Sequence, residues 1–245
     1  TDAIGMGINM DINNVSFSNL KKFDGKKTRK LSLSEISQIA GRAGRHINDG
    51  TFGITGECEQ LTSEEIEKLE KHELSKINVL YWRNSEIDFS NLDNLVSSLE
   101  KKNNSEFLKR INDCEDEKVL KFLIKNYEDI TKKQSEYNIR TLWECCQIPD
   151  FSKKAYGNHI EVVRKVFEFL TLKTGKVTND YMKKQLEYLD KYNGNIDTLT
   201  NRISNVRTWS YVANKKNWVS NPDYWIERTK YIEDKLSDKL HEELT

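Results

Sequence analysis

Eight of the eleven glycines fall between Gly5 and Gly56, and only Gly157, Gly175 and Gly194 serve the rest of the 245-residue chain. Glycine admits tight turns and close backbone approach but weakens long helices, so the two parts cannot share one architecture. The first part reads as an α/β region. Val15 and Phe17 alternate with polar neighbours over Asn14 to Ser18, as in a half-buried strand, and Phe52 and Ile54 do the same over Thr51 to Thr55. Asp24-Gly25 lies between two short Lys-rich runs and predicts a tight hairpin turn. Ser32-Leu33-Ser34-Glu35 has the spacing of a capping box, opening a helix with Ile36, Ile39 and Ala40 on one face.

Beyond about residue 60 the sequence predicts helix throughout, with no strand. Thr62 to Glu65 is a second capping box, and Ser90 is expected to cap a helix carrying Leu92, Leu95, Val96 and Leu99. Helical spacing also links Ile160, Val163, Phe167 and Leu170, and then Leu199, Ile203 and Val206. Asn221-Pro222 combines a cap with a first-turn proline, starting a helix whose stripe is Trp225, Thr229, Ile232, Leu236 and Leu240. Aromatic residues make up 10% of the chain, which favours a packed core over disorder despite 32% charged residues. No apolar run approaches the roughly 20 residues of a membrane helix, so no membrane partner is expected. Lys+Arg and Asp+Glu are equal at 39 each, which excludes a generally basic coat but not a local basic patch. The four cysteines and four histidines lack the spaced pairs of a zinc site. No metal is expected, and the thiols are read as reduced, in a cytosol-like, cytoplasmic setting.

The segment richest in chemistry is Gln38-Ile39-Ala40-Gly41-Arg42-Ala43-Gly44-Arg45. On a continuous helix, Gln38, Arg42 and Arg45 share one face. Gly41 and Gly44 cost such a helix roughly 1 kcal/mol each, which implies close approach by something. One amide and two guanidinium groups suit a polyphosphate, because arginine contacts phosphate in planar, multidentate fashion. A solvated basic helix end would explain the same spacing. The chain opens Thr1-Asp2-Ala3-Ile4-Gly5-Met6-Gly7-Ile8-Asn9-Met10, where glycines two apart allow close backbone approach but by themselves mark only a turn.

Taken together, in this order and about thirty residues apart, the two segments resemble motifs V and VI of superfamily 2 helicases. Their wording is similar to that of Suv3-type ATP-dependent RNA helicases, bacterial branch. Tyr81-Trp82-Arg83-Asn84-Ser85, Cys146-Gln147-Ile148-Pro149-Asp150-Phe151 and Arg207-Thr208-Trp209-Ser210-Tyr211-Val212 extend the resemblance along the chain. It implies an α/β fragment, the distal part of a second RecA-like helicase domain over residues 1–60. Connecting helices follow over 61–103, and then a mainly α-helical C-terminal domain over 104–245. It implies ATP with Mg2+ as cofactor, single-stranded RNA as the preferred partner, and an exoribonuclease as a further partner in RNA turnover. By resemblance Gln38, Arg42 and Arg45 face the γ-phosphate, with Arg45 as arginine finger. Gly7 and Asn9 approach the nucleotide, and Thr1 contacts the RNA backbone. Asn9 stands where many superfamily members have Asp or Thr.

The sequence contains no Gly-x-x-x-x-Gly-Lys-Ser/Thr loop and no Asp-Glu pair in strand context. In the family these lie upstream and supply the magnesium ligands. The chain, which opens without Met, is therefore expected to be a piece of something longer and inactive in ATP hydrolysis alone. A different class of function, a non-catalytic helical RNA- or protein-binding module, fits the same features. Two further surfaces suggest RNA contact. Lys21 to Lys30 carries six cations, Lys21, Lys22, Lys26 and Lys27 among them, against Asp24 alone, and could track a phosphate backbone. Trp143, Trp209, Trp218, Trp225 and Tyr211 could stack on bases, although aromatics at helical spacing more often fill a core.

Overall fold

The computed structural model describes residues 12–24, 27–45, 48–74, 76–112, 114–133, 135–152, 156–172 and 174–244, with Arg45 and Tyr156 described in their backbone alone. The chain divides into two compact units between Asn78 and Val79. That division differs from the limits at 60 and 103 read from the sequence.

In the first unit, β1 (Asn14–Phe17) and β6 (Thr51–Ile54) form a parallel pair, with Val15 opposite Phe52 and Phe17 opposite Ile54. Between them lie an antiparallel hairpin, β2 (Lys21–Phe23) with β3 (Thr28–Lys30), then helix α1 (Leu33–Ala40). A two-residue hairpin follows, β4 (Gly44–Arg45) with β5 (Asn48–Asp49). Helix α2 (Ser63–Glu70) follows β6. Both predicted capping boxes form: the Ser32 side chain accepts from the Glu35 N–H while the Glu35 carboxylate accepts from the Ser32 N–H, and Thr62 and Glu65 repeat the arrangement. Phe17, Leu20, Leu31, Ile36, Ala40, Cys58 and Leu69 form the small core.

The second unit holds the strands that the sequence did not predict. The strand β7 (Leu80–Trp82) pairs in parallel with β8 (Leu108–Arg110), placing Leu80 opposite Leu108 and Trp82 opposite Arg110. Helix α3 (Leu92–Glu100) lies between them, capped by Asn91, which accepts from the Asn94 N–H. Ser90 is displaced from the predicted cap and its hydroxyl instead accepts from the Asn94 side chain at 2.9 Å. Among the described residues seven helices follow: α4 (Glu115–Asn126), α5 (Glu128–Thr131), α6 (Glu136–Cys146), α7 (Tyr156–Thr171), α8 (Asn179–Leu189), α9 (Ile196–Asn214) and α10 (Pro222–Leu244).

Their predicted apolar stripes all turn inward. Ile160, Val163, Phe167, Leu170, Leu199, Ile203, Val206, Trp225, Ile232 and Leu236 are buried in one continuous core. Trp143, Trp209, Trp218 and Trp225 are each at most 6% exposed and belong to that core, so they offer no face to a base. The structure thus decides for packing over stacking at these tryptophans.

An ionic cluster ties the strand pair to α4. Arg83 makes two 2.9 Å hydrogen bonds to Asp116 and lies 3.5 Å from Glu117, which also pairs with Arg110. Cys58, Cys145 and Cys146 are buried free thiols, and Cys114 is a half-buried one. Burial pushes the Cys145 and Cys146 thiols well above their ordinary pKa.

Candidate functional site

The Gln38–Arg45 segment does not form one helical face. Helix α1 ends at Ala40, and Gly41 caps it by donating its N–H to the Ser37 and Ile39 carbonyls. The chain then turns, and Gly44 enters β4 at φ 71°, in the left-handed region that favours glycine. A Cβ on Gly44 would overlap the Asn48 carbonyl and the Gly50 backbone, and one on Gly50 would overlap Ala43. Close approach does explain Gly44, as the sequence suggested, but what approaches is the chain's own backbone. Gln38 is exposed on the last turn of α1, and Arg42 is half-buried in the turn beyond it. The Arg45 side chain lies outside what is described, as do Thr1, Gly7, Asn9 and Lys26.

What the structure brings together is the turn of the second segment and the chain at Ile12 and Asn13, beyond the first segment. Ile12, just beyond the first glycine-bearing stretch, forms a parallel bridge with Ala43, and the Gly44 N–H donates to the Ile12 carbonyl at 2.7 Å. The Thr51 N–H donates to the Asn13 carbonyl at 2.9 Å, which continues the pairing into β1 and β6. The turn carrying Arg42 therefore lies beside the chain that leads out of residues 1–11. Below it, the buried Ser37 hydroxyl meets His72 Nδ1 at 3.2 Å.

The hairpin is less basic than its composition. Glu35, at the start of α1, accepts two 2.8 Å bonds from Arg29 and a 2.8 Å ion pair from Lys22. Arg29 first, then Lys22, then the Ser32 N–H hold the Glu35 carboxyl far below the ordinary carboxylate range. Lys30 pairs with Glu59 at 3.1 Å and reaches Glu65 at 3.9 Å. Glu59 and Glu65, on either side of the start of α2, thus face the hairpin. The excess of six cations over Asp24 is offset in part by Glu35, Glu59 and Glu65. Lys21 and Lys27 remain exposed, and Phe23, 67% exposed at the end of β2, stands beside them. Phe23 was given no role in the sequence reading; its place at a hairpin tip and not in an apolar pattern was the available signal.

No protein-family profile matches the chain. A 45-residue stretch, 18% of the chain, is 62% identical to the mitochondrial DExH-box ATP-dependent RNA helicase DExH16 of Arabidopsis thaliana, of which it covers 8%. A 66-residue stretch, 27% of the chain, is 48% identical to the mitochondrial ATP-dependent RNA helicase SUV3 of Oryza sativa subsp. japonica, covering 11% of it. The corresponding helicase of Candida albicans is 58% identical over 45 residues, which are 18% of the chain and 6% of the relative. Part of the chain is thus similar to Suv3-type helicases. The chain spans about a tenth of the length of the curated relatives it matches.

Proposed function

We propose that the chain is the C-terminal portion of an ATP-dependent RNA helicase of the Suv3 type. Its first unit is the distal edge of the second RecA-like domain, and its second unit is the helical region beyond. The observation that carries this reading is the bridge between Ile12, two residues beyond the first motif, and Ala43 in the turn of the second. The parallel β1–β6 pair supports it as well, since parallel strands normally belong to larger sheets covered on both faces. In this reading Gln38, Arg42 and Arg45 address the γ-phosphate of ATP bound with Mg2+, and Gly7 and Asn9 approach the same nucleotide. Thr1, Lys21, Lys26, Lys27 and, once released from Glu35, Lys22 contact single-stranded RNA. An exoribonuclease partner follows from the family resemblance, and a cytoplasmic setting from the free thiols. The bacterial branch rests on the helical-region segments alone, since the relatives above are plant and fungal proteins with mitochondrial in their names.

The large separate core of the second unit favours a second reading, a non-catalytic helical module. One observation separates the two. An in-frame Walker-type loop and Asp-Glu pair encoded upstream of Thr1 would support the helicase; a start codon close by would support the module. In the longer protein, Arg45→Ala should cut RNA-stimulated ATP turnover about a thousandfold while nucleotide binding changes far less. Unchanged turnover would remove Arg45 from the assignment.

A further inference from the structure

Three of the segments that carry the family resemblance meet at one place in the second unit. Arg83, the turn from Cys146 to Asp150, and the start of α4 line an open cleft of about 530 Å³, a volume ordinary for small-molecule sites. Thr208, from the third segment, lies 3.4 Å from the Pro149 carbonyl, to which its hydroxyl donates. A smaller cleft of about 140 Å³ adjoins it, and Asp150 and His159 line both.

His159 is the feature that points to a ligand. Its side chain is 8% exposed and makes no hydrogen bond to any described residue, yet it borders open space on two sides. Burial lowers its pKa below the ordinary 6.5, against the opposing pull of Asp150 and Glu115. At neutral pH it therefore presents one N–H donor and one bare ring nitrogen. Neither ring nitrogen is among the buried side-chain atoms left without a partner, so solvent reaches them from the clefts, and an incoming donor–acceptor edge can take the place of that water.

The surroundings select the kind of edge. The Arg83 guanidinium is held by Asp116 and stacks 5.3 Å from the Trp143 ring centroid, so it is not a spare cation. Lys118 is outnumbered by Glu115 and Asp150, which makes the cleft a poor host for phosphate. Val119, Ile148 and Pro149 supply apolar walls for a flat ring, and Gln147 adds an amide. The smaller cleft offers neutral side-chain amides, Asn158, Asn201 and Asn205, which suit hydroxyl groups.

We propose that this double cleft is a nucleoside subsite for single-stranded RNA, with the base against His159 and Gln147 and the ribose hydroxyls toward Asn201 and Asn205. The choice of RNA as the source of the nucleoside rests on the helicase reading above, but binding of the nucleoside itself can be tested separately.

The test uses the whole 245-residue chain with isotopically labelled histidine, the His159 ring signals being assigned by their loss in His159→Gln. Adenosine, guanosine, cytidine and uridine are titrated singly at millimolar concentration. At least one should move the His159 signals saturably, its 2′-deoxy form should bind several-fold more weakly, and Asn201→Ala should abolish that difference. Gln147→Ala, in a half-buried turn, should weaken binding about tenfold, as losing one hydrogen bond would, and it serves if His159→Gln fails to fold. No response to any nucleoside overturns the proposal. So does an equal response to inorganic phosphate, or a response only to N-acetylarginine methylamide, which would make the cleft a docking point for a protein side chain. A fluorescent oligoribonucleotide separates the two readings. RNA binding with the His159 signals unmoved removes the subsite and leaves the RNA reading intact. Nucleoside binding without RNA binding does the reverse.

Discussion

Replacing Glu35 with Gln should strengthen RNA binding by the hairpin. In the structure this one carboxylate engages both Arg29 and Lys22, each at 2.8 Å. Gln is close to isosteric and can still accept from the Ser32 N–H, so the cap of α1 survives. What is lost is the negative charge that occupies two cations. Each cation that then meets a phosphate releases counterions, adding about 0.7 to the slope of log K against log salt for a single strand. Arg29 keeps its 3.6 Å contact with Asp24, so that slope should steepen by less than the roughly 1.4 that two fully released cations would add. Fluorescence anisotropy with a labelled oligouridylate, repeated across a salt series, measures it. Hydrogen exchange over residues 21–40 checks that the hairpin and helix remain formed. An unchanged or shallower slope with the fold intact would show that the hairpin does not lie along RNA, whatever its composition suggests.

Changing Lys21, Lys22, Lys26 and Lys27 together to Gln should flatten the same salt slope, and by less than four cations' worth, because Lys22 is already paired with Glu35; a loss equal to all four would mean that this pair opens on binding. Gly44→Ala should destabilise the first unit by roughly 2–5 kcal/mol, from a positive φ together with backbone overlap, read as faster hydrogen exchange over 33–54. Trp209→Ala should cost about 3–5 kcal/mol in urea unfolding of the helical unit, and a loss of RNA affinity with stability intact would instead restore a stacking role. His159 has its pKa lowered in the folded state, so the unfolded chain takes up the proton first and stability falls as pH drops below about 6.5; the thermal midpoint of His159→Gln should lose that dependence between about pH 7 and 5.5.

Local chemistry was legible in the sequence wherever a short-range rule applied. Both capping boxes and the Asp24 hairpin depend on neighbours within four residues and formed, and the last helix begins at Pro222 as read, although Asn221 stands at φ 56° and not in the extended conformation of a cap. The strands β7 and β8 escaped notice because each has three residues and their partners lie 28 positions apart, as with Leu80 and Leu108. Nothing in either run alternates strongly enough to declare a sheet. The end of α1 was misjudged for a different reason. Gly41 and Gly44 are ordinary stop signals, but the four-and-three spacing of Gln38, Arg42 and Arg45 argued for continuity, and the glycines prevailed. The hairpin's charge was overestimated because Glu35, Glu59 and Glu65 come from other parts of the chain. His159 carries no motif at all; only its burial beside two clefts distinguishes it from any other lone histidine.

The unequal burial of the four thiols has a practical consequence. Cys58, Cys145 and Cys146 are closed off, whereas Cys114 is partly open and sits on the rim of the larger cleft. A maleimide dye added to the folded wild-type protein should therefore enter at one position, with no cysteine removed or introduced. That position borders the His159 cleft, so the attached fluorophore becomes an optical reporter of whatever occupies it.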